Sequence, residues 1–165
     1  MKTLYLIRHA KSSWDNPLQA DFDRPLNNRG KKDAPRMGKR LKKREILPDR
    51  MLTSPANRAL TTCTNIASEI HYPVHKIKTE KRLYHAHADE ILNVLSELDD
   101  EVNTVALVGH NPGLTDFINT MFDPALANLP TCGIVAGTFQ TDSWSSIDKS
   151  NAHLLFMDYP KSKED

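Results

Sequence analysis

Thr3-Leu4-Tyr5-Leu6-Ile7 is an unbroken apolar, β-prone run that ends abruptly at Arg8-His9. A short apolar run closed by charge predicts a strand buried on both faces, as in a parallel sheet. Residues 11–28 are polar and turn-rich, with Pro17 and Pro25, and predict a loop. From Arg29 to Arg44 the period changes. Ala34, Met37 and Leu41 recur on one face among many Lys and Arg, which predicts a helix whose first turn accommodates Pro35. Arg50–Thr53 predicts a second strand. Ser54 as N-cap and Pro55 at the first helical position then open a helix to about Ile70, with Ala59, Cys63, Ile66 and Ile70 as its apolar stripe. Val74–Lys78 reads as a short strand, and Glu90–Leu98 as a helix burying Ile91, Val94, Leu95 and Leu98. Thr104–Val108 is the clearest strand of the chain. Gly109-His110-Asn111-Pro112-Gly113 follows it, with Asn111 as N-cap and Pro112 opening a helix through Met121. Ile134–Gln140 and Leu154–Asp158 predict the last two strands.

Strands that alternate with helices predict an α/β fold in three layers, α/β/α, around a mostly parallel central sheet. A length of 165 residues suits one domain, expected over residues 1–160, with a frayed tail at 161–165. Composition adds exclusions. Lys and Arg number 22 against 21 Asp and Glu, so net charge gives no argument for a nucleic-acid or membrane partner. The basic run around Lys39–Arg44 reads as a solvated helix face. No apolar stretch approaches the roughly 20 residues of a membrane span. Two cysteines, Cys63 and Cys132, leave room for one disulfide but fit a reducing compartment, so the expected location is the cytoplasm.

In open α/β sheets, ligands bind beyond the carboxyl ends of the strands. Those ends here hold Arg8-His9, then Ser54-Pro55 with Arg58 in the following helix, then Gly109-His110. Taken singly, each has an ordinary explanation: a common dipeptide, a helix cap, a strand-to-helix turn. Taken together on one rim beside helix N-termini, two arginines and two histidines form a site suited to a phosphoryl group.

These motifs resemble the histidine phosphatase superfamily, the phosphoglycerate mutase-like fold. The likeness is carried by Leu6-Ile7-Arg8-His9-Ala10, by Ser54-Pro55-Ala56-Asn57-Arg58-Ala59 and by Val108-Gly109-His110-Asn111. Arg8-His9-Ala10-Lys11-Ser12, Arg24-Pro25-Leu26-Asn27-Asn28-Arg29-Gly30 and the short chain are similar to the SixA-type phosphohistidine phosphatases. The resemblance implies that His9 accepts the phosphoryl group covalently before water removes it. Arg8, Arg58 and His110 would hold its oxygens, with Arg24 and Asn111 as further substrate-binding candidates. It implies no metal or organic cofactor, and as partner a phosphohistidine-bearing protein or a small phosphorylated substrate.

The chain departs from the wider family at the general acid. Leu83-Tyr84-His85 stands where mutase-like members carry Leu-x-Glu, and Asn111 where acid-phosphatase-like members carry Asp. An alkoxide leaving group needs a positioned proton donor far more than an imidazole does, so the missing carboxylate favours a nitrogen–phosphorus substrate. His85 is the candidate substitute acid. Three alternatives stand beside this reading: turnover of small phosphoesters or phosphoramidates, a phosphate-binding module without turnover, and a metallohydrolase built on His85-x-His87-x-Asp89. The last lacks the further histidine that such a motif requires, since Glu90 follows.

Overall fold

The computed structural model describes residues 1–162. Its centre is a six-stranded sheet in the order β3-β2-β4-β1-β5-β6. The strands are β1 Lys2–Arg8, β2 Arg50–Thr53, β3 Lys78–Thr79, β4 Thr104–Gly109, β5 Ile134–Phe139 and β6 Ala152–Asp158. Strands β3, β2, β4 and β1 run parallel, while β5 and β6 close one side antiparallel. The helices are α1 Asn28–Lys43, α2 Asn57–Glu69, α3 Ala88–Ser96 and α4 Gly113–Phe122.

Strand alternation divides the core into two halves. Leu4 and Leu6 of β1, Val105 and Leu107 of β4, and Val135 and Phe139 of β5 pack with α3 and α4 through Ile91, Leu95, Phe117 and Ile118. Tyr5, Ile7, Ala106, Val108, Ile134 and Ala136 face the other way, onto Met37 and Leu41 of α1 and Cys63 and Ile66 of α2. Successive side chains point to opposite faces of a strand, so central strands apolar at every position need a layer on each side. The three-layer arrangement follows.

Several local expectations need correction. The helix expected from Pro55 begins at Asn57, because the Ser54 N–H still bonds the Val108 carbonyl at 3.1 Å and keeps residue 54 in the sheet. The Ser54 hydroxyl accepts from the Ala56 N–H instead of capping α2. Helix α4 begins at Gly113, with Asn111 one residue too early for the N-cap; its Oδ1 receives the Thr115 N–H at 3.3 Å. Pro35 lies in the interior of α1, whose buried face (Ala34, Met37 and Leu41) offsets the missing backbone bond. Residues 74–76 form a 3-10 turn, leaving only Lys78–Thr79 as strand. Helix α3 starts two residues early, because Glu90 accepts the His87 N–H in a capping box. Both cysteines are free and buried. The expected tail at 161–165 lies mostly outside the described residues.

One close approach secures the loop after β1. A Cβ at Gly30 would stand 2.2 Å from the Lys11 carbonyl oxygen, which accepts the Asn27 N–H at 3.0 Å. Gly30→Ala should therefore displace the Lys11 backbone, costing about 1–3 kcal/mol. A Tm lowered by several degrees in calorimetry checks this.

Candidate active site

The parallel register puts three strand ends level. Ile7 and Thr53 both pair with Val108, and Arg8 pairs with Gly109. The next residues are tied across the same rim: the His9 N–H donates to the Gly109 carbonyl at 3.1 Å, and its own carbonyl accepts from Cys132 N–H at 3.0 Å. His9 and His110 consequently stand together, their ring centroids 5.1 Å apart, each only 8% exposed.

Beside them is a cavity of about 190 Å³ whose walls include Arg8, His9, Lys11, Ser12, Arg24 and Arg58, with the exposed Trp14 at its rim. A larger groove along α1 is lined by Lys32, Pro35 and Lys39 but holds no nucleophile, so its size carries no chemistry. Within the small cavity the donors are arranged for an anion. Arg8 gives Nη1 to the Leu129 carbonyl at 2.9 Å, while its buried Nε has no partner. Arg24 is stacked over Trp14 at 3.3 Å and anchored by Nε to the Ser13 carbonyl at 3.0 Å. Its Nη2 also donates to the Ser12 hydroxyl.

The histidines are uncharged. The Nδ1 of His9 lies 2.7 Å from the Ala10 carbonyl, so that nitrogen carries the proton and Nε2 keeps its lone pair. Burial, reinforced by Arg58, Arg8 and Arg24, pushes the His9 pKa down to about 4, against the opposing Ala10 hydrogen bond. Burial, followed by the neighbouring His9 and Arg58, lowers that of His110 to about 3.

Asp21 organises the cations, and the sequence reading missed it. Its carboxylate accepts from Arg24 Nη1 at 3.0 Å, Arg58 Nη2 at 3.1 Å and Tyr84 Oη at 2.7 Å; its main-chain carbonyl accepts from Arg58 Nη1 at 2.7 Å. Burial works to raise its pKa, but the bonds from Tyr84, Arg58 and Arg24 outweigh it and hold the carboxyl well below the usual range. The available signal was the i,i+3 spacing of Asp21 and Arg24.

Three expected residues are not in the cavity wall: His110, whose ring neighbours that of His9, and Asn111 and His85. The Asn111 amide is committed to the structure: its Nδ2 donates to Asn128 Oδ1 at 2.7 Å and to the Leu129 carbonyl at 3.0 Å, and its Oδ1 takes the Thr115 hydroxyl. It thus braces the carbonyl that anchors Arg8 and does not line the cavity. His85 is exposed and lies against the Tyr84 ring, with centroids 3.9 Å apart; Tyr84 in turn meets the His110 ring edge-on at 5.6 Å, so His85 stands near His110 without being part of the cavity wall. Among the described residues, His85, His87 and Asp89 do not come together as a metal-binding group.

The profile of the histidine phosphatase superfamily (branch 1) matches residues 4–91, just over half of the chain. The chain belongs to the histidine phosphatase superfamily. This histidine phosphatase is 30% identical over 171 residues to an uncharacterized protein of Mycobacterium leprae (strain TN), covering 94% of the chain and 100% of that relative. Among solved structures it is similar to a candidate phosphohistidine phosphatase SixA from Agrobacterium tumefaciens, with a TM-score of 0.78 and 27% identity over 94% of this chain and 96% of that one. A SixA protein histidine phosphatase complexed with tungstate shares the fold at TM-score 0.80, with 21% identity over 96% and 97% of the two chains. The phosphoglycerate mutase-like architecture and the SixA-type likeness expected from the motifs are thereby borne out.

Proposed function

We propose that this histidine phosphatase removes the phosphoryl group from protein phosphohistidine through a covalent intermediate on His9. The observation that carries this is the 2.7 Å contact of His9 Nδ1 with the Ala10 carbonyl, which can only accept: with Nδ1–H spent there, a neutral Nε2 is left as nucleophile in a cavity lined by three guanidinium groups. In the first step the His9 Nε2–phosphorus bond forms as the bond to the leaving imidazole nitrogen breaks, and that nitrogen takes its proton from water. Water then attacks phosphorus, releasing phosphate and restoring His9. Arg8, Arg24 and Arg58 balance the charge on the transferring oxygens.

The leaving group follows from the carboxylate. Asp21 is bonded to two arginines and kept ionised, so it is a poor proton donor. General acid catalysis contributes about 10²–10⁴-fold where an alkoxide must leave, and a site without it favours imidazole. A substrate panel of phosphohistidine, phospholysine and phosphoserine peptides tests this. The kcat/KM for phosphohistidine should exceed that for phosphoserine by at least about 10²-fold. A preference for phosphoserine overturns the assignment, as does binding of all three without release of phosphate.

Two further outcomes are expected. His85→Ala should leave phosphohistidine turnover within about threefold of wild type, since a general-acid role would cost at least about 10²-fold. The His9 ring should stay neutral as pH falls through 6.5 and take up a proton near pH 4, read from its ¹⁵N shifts in the histidine-labelled chain without the acid-labile substrate. The sign follows from the depressed pKa: the neutral nucleophile persists in acid below the ordinary histidine range. A His9 titration centred near 6.5 contradicts it.

A further inference from the structure

We propose that Ser54 sets the tautomer of His110, holding it as the Nδ1–H form so that a neutral N–H donor is presented beside the nucleophile. The proposal rests on the reading of this site as a phosphoryl pocket, but the tautomer itself is a property of the unliganded chain.

Ser54 is fully buried at the end of β2, and its backbone is fixed in the sheet by the bond to Val108. Its Oγ lies 2.8 Å from His110 Nε2 and accepts the Ala56 N–H at 3.2 Å. A hydroxyl has one proton to give, and a buried donor without an acceptor is costly. Among the described residues His110 Nε2 is the one acceptor bonded to that hydroxyl.

Each tautomer can be followed to its end. If Nε2 carried the proton, Oγ would receive two N–H groups and two buried groups would be left unpaired, its own O–H and the bare Nδ1 of His110, against one in the other tautomer. If Nδ1 carries it, Ser54 O–H donates to the Nε2 lone pair, and Ser54 is satisfied. The remaining donor is then His110 Nδ1–H, which is buried and has no protein partner. His110 is 8% exposed and stands 5.1 Å from His9, ring to ring, in a site whose Arg8 Nε is likewise buried and unpartnered. A bound oxyanion is the kind of acceptor that these two unpartnered N–H groups lack. His110 therefore acts as a neutral hydrogen-bond donor, and Ser54 as the positioning residue that keeps it one.

The two histidines are oriented by different means. His9 is oriented by a main-chain carbonyl, an acceptor that no side-chain substitution removes. His110 depends on a single hydroxyl, and replacing that hydroxyl should free the ring to adopt either tautomer.

The test is a long-range proton–nitrogen correlation spectrum of the full chain labelled with ¹⁵N-histidine, recorded at pH 7 without substrate. The His110 signals are assigned by their loss in His110→Gln. The expected pattern is a protonated, pyrrole-like Nδ1 and a bare, pyridine-like Nε2. Added tungstate should shift the Nδ1–H proton downfield. A protonated Nε2 overturns the proposal even if phosphohistidine is hydrolysed, and a Nδ1–H pattern upholds it even if phosphohistidine is not. In Ser54→Ala the pattern should move toward a mixture, with tungstate binding weakened about tenfold, and Ser54→Thr should restore both. A Ser54→Ala spectrum identical to wild type removes Ser54 from the role.

Discussion

His9→Ala is expected to abolish turnover, lowering kcat by about 10⁴–10⁶-fold, the range seen when an enzyme loses its nucleophile. The loss should lie in chemistry and not in folding. Both backbone bonds of His9, to Gly109 and from Cys132, survive the substitution, so β1 keeps its place. The pocket arginines remain on their own anchors: Arg8 on Leu129, Arg24 on Ser13 and Arg58 on Asp21. The variant should therefore still bind tungstate, and its Tm should stay within a few degrees of wild type. Single-turnover kinetics with oxyanion titration separates the two properties. A variant retaining more than about one-hundredth of wild-type kcat places the nucleophile elsewhere.

Arg58→Ala has the second largest expected effect. Arg58 is buried at the start of α2 and gives both terminal nitrogens to Asp21 while lining the cavity. A guanidinium carries five N–H donors, of which two are spent on Asp21. Removing it should lower kcat/KM by about 10²–10³-fold, the scale of a lost transition-state charge contact. Asp21 then keeps only Arg24 and Tyr84, and Arg24 should drift with it. Because the Asp21 side chain is 42% exposed, the stability cost should remain near 1 kcal/mol. Arg58→Lys should recover only part of the rate, since an ammonium cannot hold the Asp21 carbonyl and carboxylate together as a planar fork does. Full recovery in lysine would show that charge alone, without geometry, suffices.

How far these features were readable depends on the range of the interaction. The strands β1, β2 and β4 were legible because each is a short apolar run closed by a charge or turn, and such runs become buried parallel strands. Their endings gave Arg8, His9, Arg58 and His110, since a parallel sheet collects its carboxyl ends on one rim. Asp21 was not legible. It sits in an aperiodic loop, and its partners Arg58 and Tyr84 are 37 and 63 residues away. The same holds for Ser54, whose position suggested a helix cap. Its hydroxyl faces His110, 56 residues on, because the backbone at 54 has not yet left the sheet. Asn111 is the opposite case. Its neighbourhood to His110 suggested substrate, while the loop at Asn128–Leu129 folds back and takes both of its amide protons.

The central claim is that the phosphoryl group passes through His9. The most direct measurement is rapid quench of the enzyme with ³²P-phosphohistidine protein into alkali, followed by proteolysis and mass mapping of the labelled peptide. The account predicts an acid-labile, alkali-stable phosphoryl group on His9 that forms before phosphate is released and is absent in His9→Ala. Release of phosphate at full rate with no label on His9 at any time would contradict it.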